Sequence, residues 1–220
     1  MRKRYLVTGG TGFIGSALVK SLVRDGQEVR LLDNESRGET RRLKDIKGRF
    51  EFINGDIRDA KLVEKVCRGI DRVVHLAYIN GTEFFYTKPE LVLEVGVKGM
   101  INVVDGCIKN NVRELLLASS SEVYQTPSLI PTPETIPLSI PDPLNPRYSY
   151  AGGKIISELL AINYGRKFFE RVIIFRPHNV YGSDMGWEHV IPQLTLRIRK
   201  MVEKNERSDT INLSIQGTGN

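Results

Sequence analysis

A chain of 220 residues with 40% hydrophobic and 26% charged side chains has the make-up of a globular protein, long enough for one large domain or a domain and part of another. No apolar run reaches the length of a membrane span. The basic start Met1-Arg2-Lys3-Arg4 leads into a strand rather than a secretory signal, so no membrane partner and a cytoplasmic location are expected. The net charge of +6 comes from scattered basic residues without interleaved aromatics, which argues against nucleic acid as a partner.

Arg4 to Thr8 reads as a buried strand. The next residues, Gly9-Gly10-Thr11-Gly12-Phe13-Ile14-Gly15, form a glycine turn that opens into a helical pattern carried by Phe13, Ile14, Ala17, Leu18 and Leu22. Glycines let the backbone turn sharply and let a pyrophosphate approach the main chain, and the free N–H groups of the following helix hold its charge. Asp25-Gly26 ends that helix, and Glu28 to Leu32 forms a second strand ending at Asp33. Asp33 stands 18 residues after Gly15, where a carboxylate of a βαβ nucleotide fold accepts hydrogen bonds from the adenosine ribose. It would repel a ribose phosphate and so favours NAD over NADP, with nearby Arg37 as the counter-signal.

Residues 34 to 49 are polar and basic, a loop with a short helix. Phe50 to Asn54 is a third strand, followed by a helix capped by Asp59 and running to Gly69. Asp71 to Leu76 is a fourth strand, a long helix follows Pro89 to about Asn110, and Glu114 to Ser119 is a fifth strand. Residues 125 to 147 hold seven of the ten prolines and cannot be a regular helix or central strand. Helix resumes from Tyr148 to about Gly165, Arg171 to Phe175 is a sixth strand, Glu188 to Lys204 a helix and Ile211 to Ile215 a last strand. This alternation predicts an α/β fold, a doubly wound parallel sheet with helices on both faces. Cys67 and Cys107 form no C-x-x-C pair and read as buried thiols, and the three histidines lack paired ligand spacing, so no metal is expected.

Tyr150 and Lys154 are four apart in one helix and share a face. A tyrosine acting as a base near neutral pH needs a neighbouring cation, which Lys154 and an oxidised nicotinamide would supply. Ser119-Ser120-Ser121 closes the fifth strand, where a serine can hydrogen-bond a substrate hydroxyl. Each feature alone has an ordinary reading as core, surface charge or polar strand end.

The ordered set is more specific. It comprises the T-G-G-T-G-F-I-G turn of Thr8 to Gly15, Asp33, Gly55-Asp56-Ile57, His75-Leu76-Ala77, Ser119-Ser120-Ser121-Glu122-Val123-Tyr124, Tyr150 with Lys154, and Arg176-Pro177-His178-Asn179-Val180-Tyr181-Gly182. It resembles the extended short-chain dehydrogenase/reductase family, in its branch of NAD-dependent nucleotide-sugar epimerases and dehydratases, over essentially the whole chain. The resemblance implies a Rossmann-like NAD-binding domain with the catalytic residues over 1–182. It implies only the beginning of a small substrate-binding region over 183–220, as in a truncated chain. Gly9, Gly12, Phe13, Ile14 and Gly15 would line the pyrophosphate, Asp33 the ribose, and Asp56 and Ile57 the adenine, with Asn34 also in contact with the cofactor. Leu76 and Ala77 would pass along the cofactor's middle, and His178 would approach the nicotinamide. Tyr150 would be the base, Lys154 its electrostatic partner and ribose ligand, and Ser120 a second hydrogen-bonding group. Ser121 would face the substrate, and Asn179 its phosphates.

Departures from the family pattern are Gly96 in place of the usual Asn, Gln125 in place of a glycine, and Gly152-Gly153 inside the Tyr150/Lys154 helix, where each glycine costs up to ~1 kcal/mol relative to Ala. The leading expectation is a nucleotide-diphosphate-sugar epimerase acting at C4, homodimeric through the helices after Pro89 and around Tyr150. A dehydratase would need an Asp-Glu pair where Ser121-Glu122 stands. Glu122 keeps a uronic-acid decarboxylase open as its catalytic residue, and a keto-sugar reductase is a further alternative. A non-catalytic dinucleotide-binding sensor or scaffold is the rival from another class.

Overall fold

The apolar runs Leu6-Val7, Leu31-Leu32 and Val73-Val74 are buried because they lie side by side at the centre of one parallel sheet. The computed structural model describes residues 2–187, 189–204 and 213. Its six-stranded sheet comprises β1 (Arg4–Thr8), β2 (Glu28–Asp33), β3 (Glu51–Asn54), β4 (Arg72–His75), β5 (Glu114–Ala118) and β6 (Arg171–Phe175), in the order β3-β2-β1-β4-β5-β6. Every neighbouring pair is parallel. The order reverses between β1 and β4, and ligands of such sheets bind in the crevice outside the carboxyl ends of the strands at that point. Register puts Thr8 beside Leu32 and His75, His75 beside Leu117, and Ala118 beside Phe175, so the loops that carry the motifs emerge together.

Helices α1 (Phe13–Arg24), α2 (Ala60–Val66), α3 (Thr82–Thr87), α4 (Pro89–Leu93), α5 (Gly99–Lys109) and α6 (Ser149–Phe168) accompany the sheet. One core packs Val63, Met100, Val103, Val104 and Ala161 against Leu6, Val73, Leu115 and Leu117. The other packs Val19, Val23 and Leu43 against Val7, Leu31 and Val74. Cys67 and Cys107 are buried free thiols of the first core.

Several details depart from the sequence reading. In α1 the fully buried positions are Gly15, Ser16, Val19 and Val23, while Ile14 is exposed and Leu18 and Leu22 only partly covered. The glycine-turn end of the helix packs by backbone, which rotates its inward face away from the larger side chains. The long helix after Pro89 is not uniform, because a π-helical turn, Glu94–Lys98, separates α4 from α5 and contains Gly96. The short α3, after Gly81, had no sequence signal strong enough to find it. Residues 125–147 contain no strand or α-helix, and a 3-10 turn, Pro146–Tyr148, delivers the chain into α6.

The chain separates into one compact unit of Met1–Asn179 and another of Val180–Asn220. In the second, α7 (Val190–Lys204) carries an Arg199–Glu203 ion pair at 2.8 Å. The strand expected over Ile211 to Ile215 lies outside the described residues apart from Leu213.

Candidate active site

The glycine turn is shaped by contacts that admit no side chain. Gly9 has φ +72, and a Cβ there would stand 2.7 Å from the Ala77 nitrogen and 2.8 Å from its Cα. A Cβ at Gly15 would overlap the Gly9 carbonyl oxygen. At Gly12 a Cβ would meet only that same oxygen, at 3.2 Å, so the outer side of Gly12 is open to an approaching group. No side chain caps the N-terminus of α1 and no acidic residue lies in its first turn. Its N–H groups and positive dipole end therefore suit an anion.

Asp33 ties this turn to β2. Its Oδ2 accepts the Thr11 N–H at 2.9 Å and its Oδ1 the Glu35 N–H at 2.8 Å. Each carboxylate oxygen keeps a second lone pair for a further donor. Asn34 donates to Asp56 at 3.1 Å, and Arg58 pairs with Asp56 at 2.8 Å. The hydrogen bonds from Arg58 hold the Asp56 carboxyl below its usual range. Asp56 is thus an anchor for the Arg58 turn, next to buried Ile57. Arg37 lies over the Phe84 ring, 5.2 Å from its centroid.

Behind the turn, the Thr8 hydroxyl accepts the Ala77 N–H at 3.3 Å and shares a 2.7 Å hydrogen bond with His75 Nδ1. Burial, with the Lys154 charge adding to it, pushes the His75 imidazole down to about 3, so it is neutral and acts as a fixed link between β1 and β4. Leu76 and Ala77 are half-buried at the β4 end.

The β5 end is held to β6 by Ser119 N–H donating to the Phe175 carbonyl at 2.8 Å and Ser121 N–H to the Pro177 carbonyl at 3.0 Å. The Ser119 hydroxyl donates to Glu158, which is buried and accepts Arg176 Nε at 2.8 Å and Nη2 at 2.7 Å. Ser120 is buried and its oxygen accepts the Glu122 N–H at 3.2 Å, capping a 3-10 turn. Glu122 itself is paired with Arg147 at 3.2 Å.

Tyr150 and Lys154 both face inward from α6. Lys154 Nζ donates to the Ala118 carbonyl at 2.7 Å. It lies 3.9 Å from the Tyr78 ring centroid and 5.7 Å from that of Tyr150. Burial pushes the Lys154 ammonium down to about 7, opposed by Glu158. The Tyr150 ring is edge-on to Tyr78 at 5.1 Å and stacked on Phe85 at 5.0 Å. Its hydroxyl is pushed up by burial, with the Ser120 hydrogen bond opposing and the Glu122 charge adding. A tyrosine acting as a base near neutral pH needs the opposite shift. In this structure desolvation outweighs the Ser120 hydrogen bond, and the hydroxyl moves up instead.

Tyr150, Lys154 and Ser120 are therefore brought together, and Glu122 lies just beyond Ser120. His178 and Asn179 are both exposed in the segment after β6. Tyr78, Phe85 and Glu158 were missed as functional candidates. The only signal for Tyr78 was indirect, in the unusual glycines at 96 and 153. Among the described residues no helix is long and apolar enough to cross a membrane.

A Rossmann-type sheet with a glycine turn at its switch point, an acid after β2 and a serine, tyrosine and lysine converging after β5 defines a dinucleotide-binding protein of the dehydrogenase/reductase class. The chain belongs to the NAD dependent epimerase/dehydratase family, whose pattern it matches over residues 5–220. It is 34% identical over 186 residues to the UDP-glucuronic acid decarboxylase 1 of Danio rerio, covering 84% of this chain and 43% of that one. It superposes with a TM-score of 0.80 and 32% identity on a dTDP-glucose 4,6-dehydratase, DesIV of Streptomyces venezuelae, crystallised with NAD and covering 90% of this chain and 62% of that one. The UDP-glucose 4-epimerase of Thermus thermophilus, in complex with NAD, gives a TM-score of 0.77 at 30% identity, over 91% of this chain and 63% of that one. The chain thus spans less than two thirds of the length of each.

Proposed function

We propose that the chain supplies the NAD-binding and catalytic part of an enzyme that oxidises a nucleotide-diphosphate sugar at a ring hydroxyl, and that the net reaction is epimerisation at C4. The observation that carries this reading is the convergence of Tyr150, Lys154 and Ser120 at the C-terminal edge of a sheet whose switch point carries the glycine turn. The turn suits a dinucleotide, because Gly9 and Gly15 leave no room for a side chain and Gly12 leaves an open approach to the α1 N-terminus. Phe13, Ile14 and Gly15 would flank the pyrophosphate, the spare lone pairs of Asp33 would take the adenosine ribose hydroxyls with Asn34 beside them, and Asp56 and Ile57 would border the adenine. Leu76 and Ala77 would lie along the cofactor's middle and His178 near the nicotinamide.

Bound NAD would supply reversible hydride acceptance from the sugar carbon, so that each cycle ends with the cofactor oxidised. Tyr150 takes the hydroxyl proton of the sugar, and Ser120 hydrogen-bonds the same hydroxyl and orients it. Lys154, anchored on the Ala118 carbonyl, would favour the phenolate and hold the nicotinamide ribose. Burial by itself leaves Tyr150 a poor base, and a bound oxidised nicotinamide would supply positive charge that favours its phenolate. Ser121 and Asn179 would face the sugar and its phosphates.

A second reading, decarboxylation of a nucleotide-linked uronic acid, is supported by the Glu122–Arg147 pair beside Ser120 and by the decarboxylase relatives. Dehydration is disfavoured because Ser121 offers no carboxylate beside Glu122. A location in the cytoplasm and a homodimer belong to the same proposal, and exposed Ile101 on α5 with Ile156 and Leu159 on α6 supports the second copy.

The test is to denature the purified protein, identify released dinucleotide by mass spectrometry, and then follow UDP-glucose, UDP-galactose and UDP-glucuronic acid by NMR. Bound NAD with interconversion of the first two supports epimerisation, and loss of carbon dioxide from the third supports decarboxylation. Full turnover retained in Tyr150→Phe would overturn both.

A further inference from the structure

We propose that Tyr78 is the positioning residue of Lys154. Its ring face holds the ammonium, and the ring reaches that place because Gly96 and Gly153 leave a gap that its hydroxyl fills. This inference rests on the reading of Tyr150 and Lys154 as the catalytic pair.

Three observations converge. First, Lys154 Nζ is 3.9 Å from the Tyr78 ring centroid, well inside cation–π range, and it donates a hydrogen bond to the Ala118 carbonyl. Second, a Cβ at Gly96 or at Gly153 would overlap the Tyr78 hydroxyl, so glycines from two different elements, the π turn and α6, are shaped to one phenol. Third, that hydroxyl is buried without a hydrogen-bond partner, so it is held there by packing rather than by polar contact. The same ring meets Tyr150 edge-on at 5.1 Å and therefore fixes both members of the pair. Where the family usually carries an Asn, this chain has Gly96, and Tyr78 enters from the β4 side to take over the space.

The groups facing Lys154 are Glu158, one turn on along α6, His75 from β4, and the phenols of Tyr150 and Tyr78. Glu158 holds the ammonium up against burial and is itself paired with Arg176 at 2.7 Å. The ring quadrupole of Tyr78 is thus a close electrostatic support for the ammonium in a buried setting, where a cation–π contact is stronger than at the surface.

The experiment replaces Tyr78 by phenylalanine and then by phenylalanines of increasing ring fluorination, which weaken the negative ring face with little change of shape. The titration of Lys154 is read in the unliganded protein by NMR of 13Cε-labelled lysine. The expected result is a midpoint little changed in Tyr78→Phe and falling stepwise with fluorination, by about one pH unit at full substitution. A midpoint indifferent to fluorination overturns the proposal, and so does a drop in Tyr78→Phe as large as that at full fluorination, which would place the effect in the hydroxyl. Because the midpoint is read without cofactor or sugar, its result is independent of turnover. NAD binding and sugar conversion by the unsubstituted protein test the catalytic reading separately.

Discussion

The hydroxyl of Tyr78 occupies the volume that a side chain at Gly153 would need. A helix-interior glycine, which local propensity disfavours, is thereby explained by a residue 75 positions earlier in the chain.

The first prediction follows from that contact. Gly153→Ala will destabilise the protein by about 1–3 kcal/mol through overpacking. In a Tyr78→Phe background the nearest ring atom is 3.4 Å away, an ordinary contact, and the penalty will fall close to zero. Gly96→Ala will not be rescued in this way, because two ring carbons of Tyr78, Cζ and Cε2, would still overlap the new side chain. Urea unfolding of the single and double variants measures the difference, and equal penalties for Gly153→Ala in both backgrounds would count against the packing account.

The buried bases make a pH prediction with a definite sign. His75 is held at about 3 and Lys154 at about 7, both below their unfolded values. In each window the unfolded chain binds the extra proton, so stability rises with pH. It will rise from about pH 3 to the ordinary histidine value on account of His75, and from about pH 7 toward the ordinary lysine value on account of Lys154. Lys154→Met will flatten the upper limb while leaving the lower one. A stability curve whose alkaline limb is the same in both proteins would show that Lys154 is not desolvated as described.

Glu158 and Arg176 form a two-pronged ion pair whose carboxylate is buried. Glu158→Ala will cost about 3 kcal/mol, because it leaves the guanidinium partly buried and unpaired and removes the acceptor of the Ser119 hydroxyl. Adding Arg176→Met will restore part of the loss. Additive penalties in denaturant unfolding would show that the two side chains do not act as a pair.

Asp33 is predicted to serve twice, as the clamp of the glycine turn through Thr11 N–H and as the acceptor for the ribose. Asp33→Ser will lower NAD affinity by about tenfold or more and narrow the preference over NADP, since a hydrogen bond to a charged acceptor contributes roughly 1.5–3 kcal/mol. Fluorescence titration with both dinucleotides reads both effects, and unchanged NAD affinity would remove Asp33 from the site.

Much of the architecture was legible in the chain. The six strands, the capping of α2 by Asp59 and the proline-rich excursion over 125–147 follow from periodicity and backbone restriction, which are local. The glycine turn, Asp33, Ser120 and the Tyr150/Lys154 spacing were likewise visible, because each is a short pattern or an ordered motif. Tyr78 and Phe85 around Tyr150, the buried Glu158–Arg176 pair and the direction in which Tyr150 is shifted were not. They depend on which side chains the fold presses together and how much water it removes, and neither has a period or a spacing in sequence. Residue order alone was enough to say where the backbone turns and which side chains are candidates for chemistry. It took the folded chain to show that burial drives Lys154 toward neutrality and that one phenol fills the space left by two distant glycines, because desolvation and packing are properties of the assembled core.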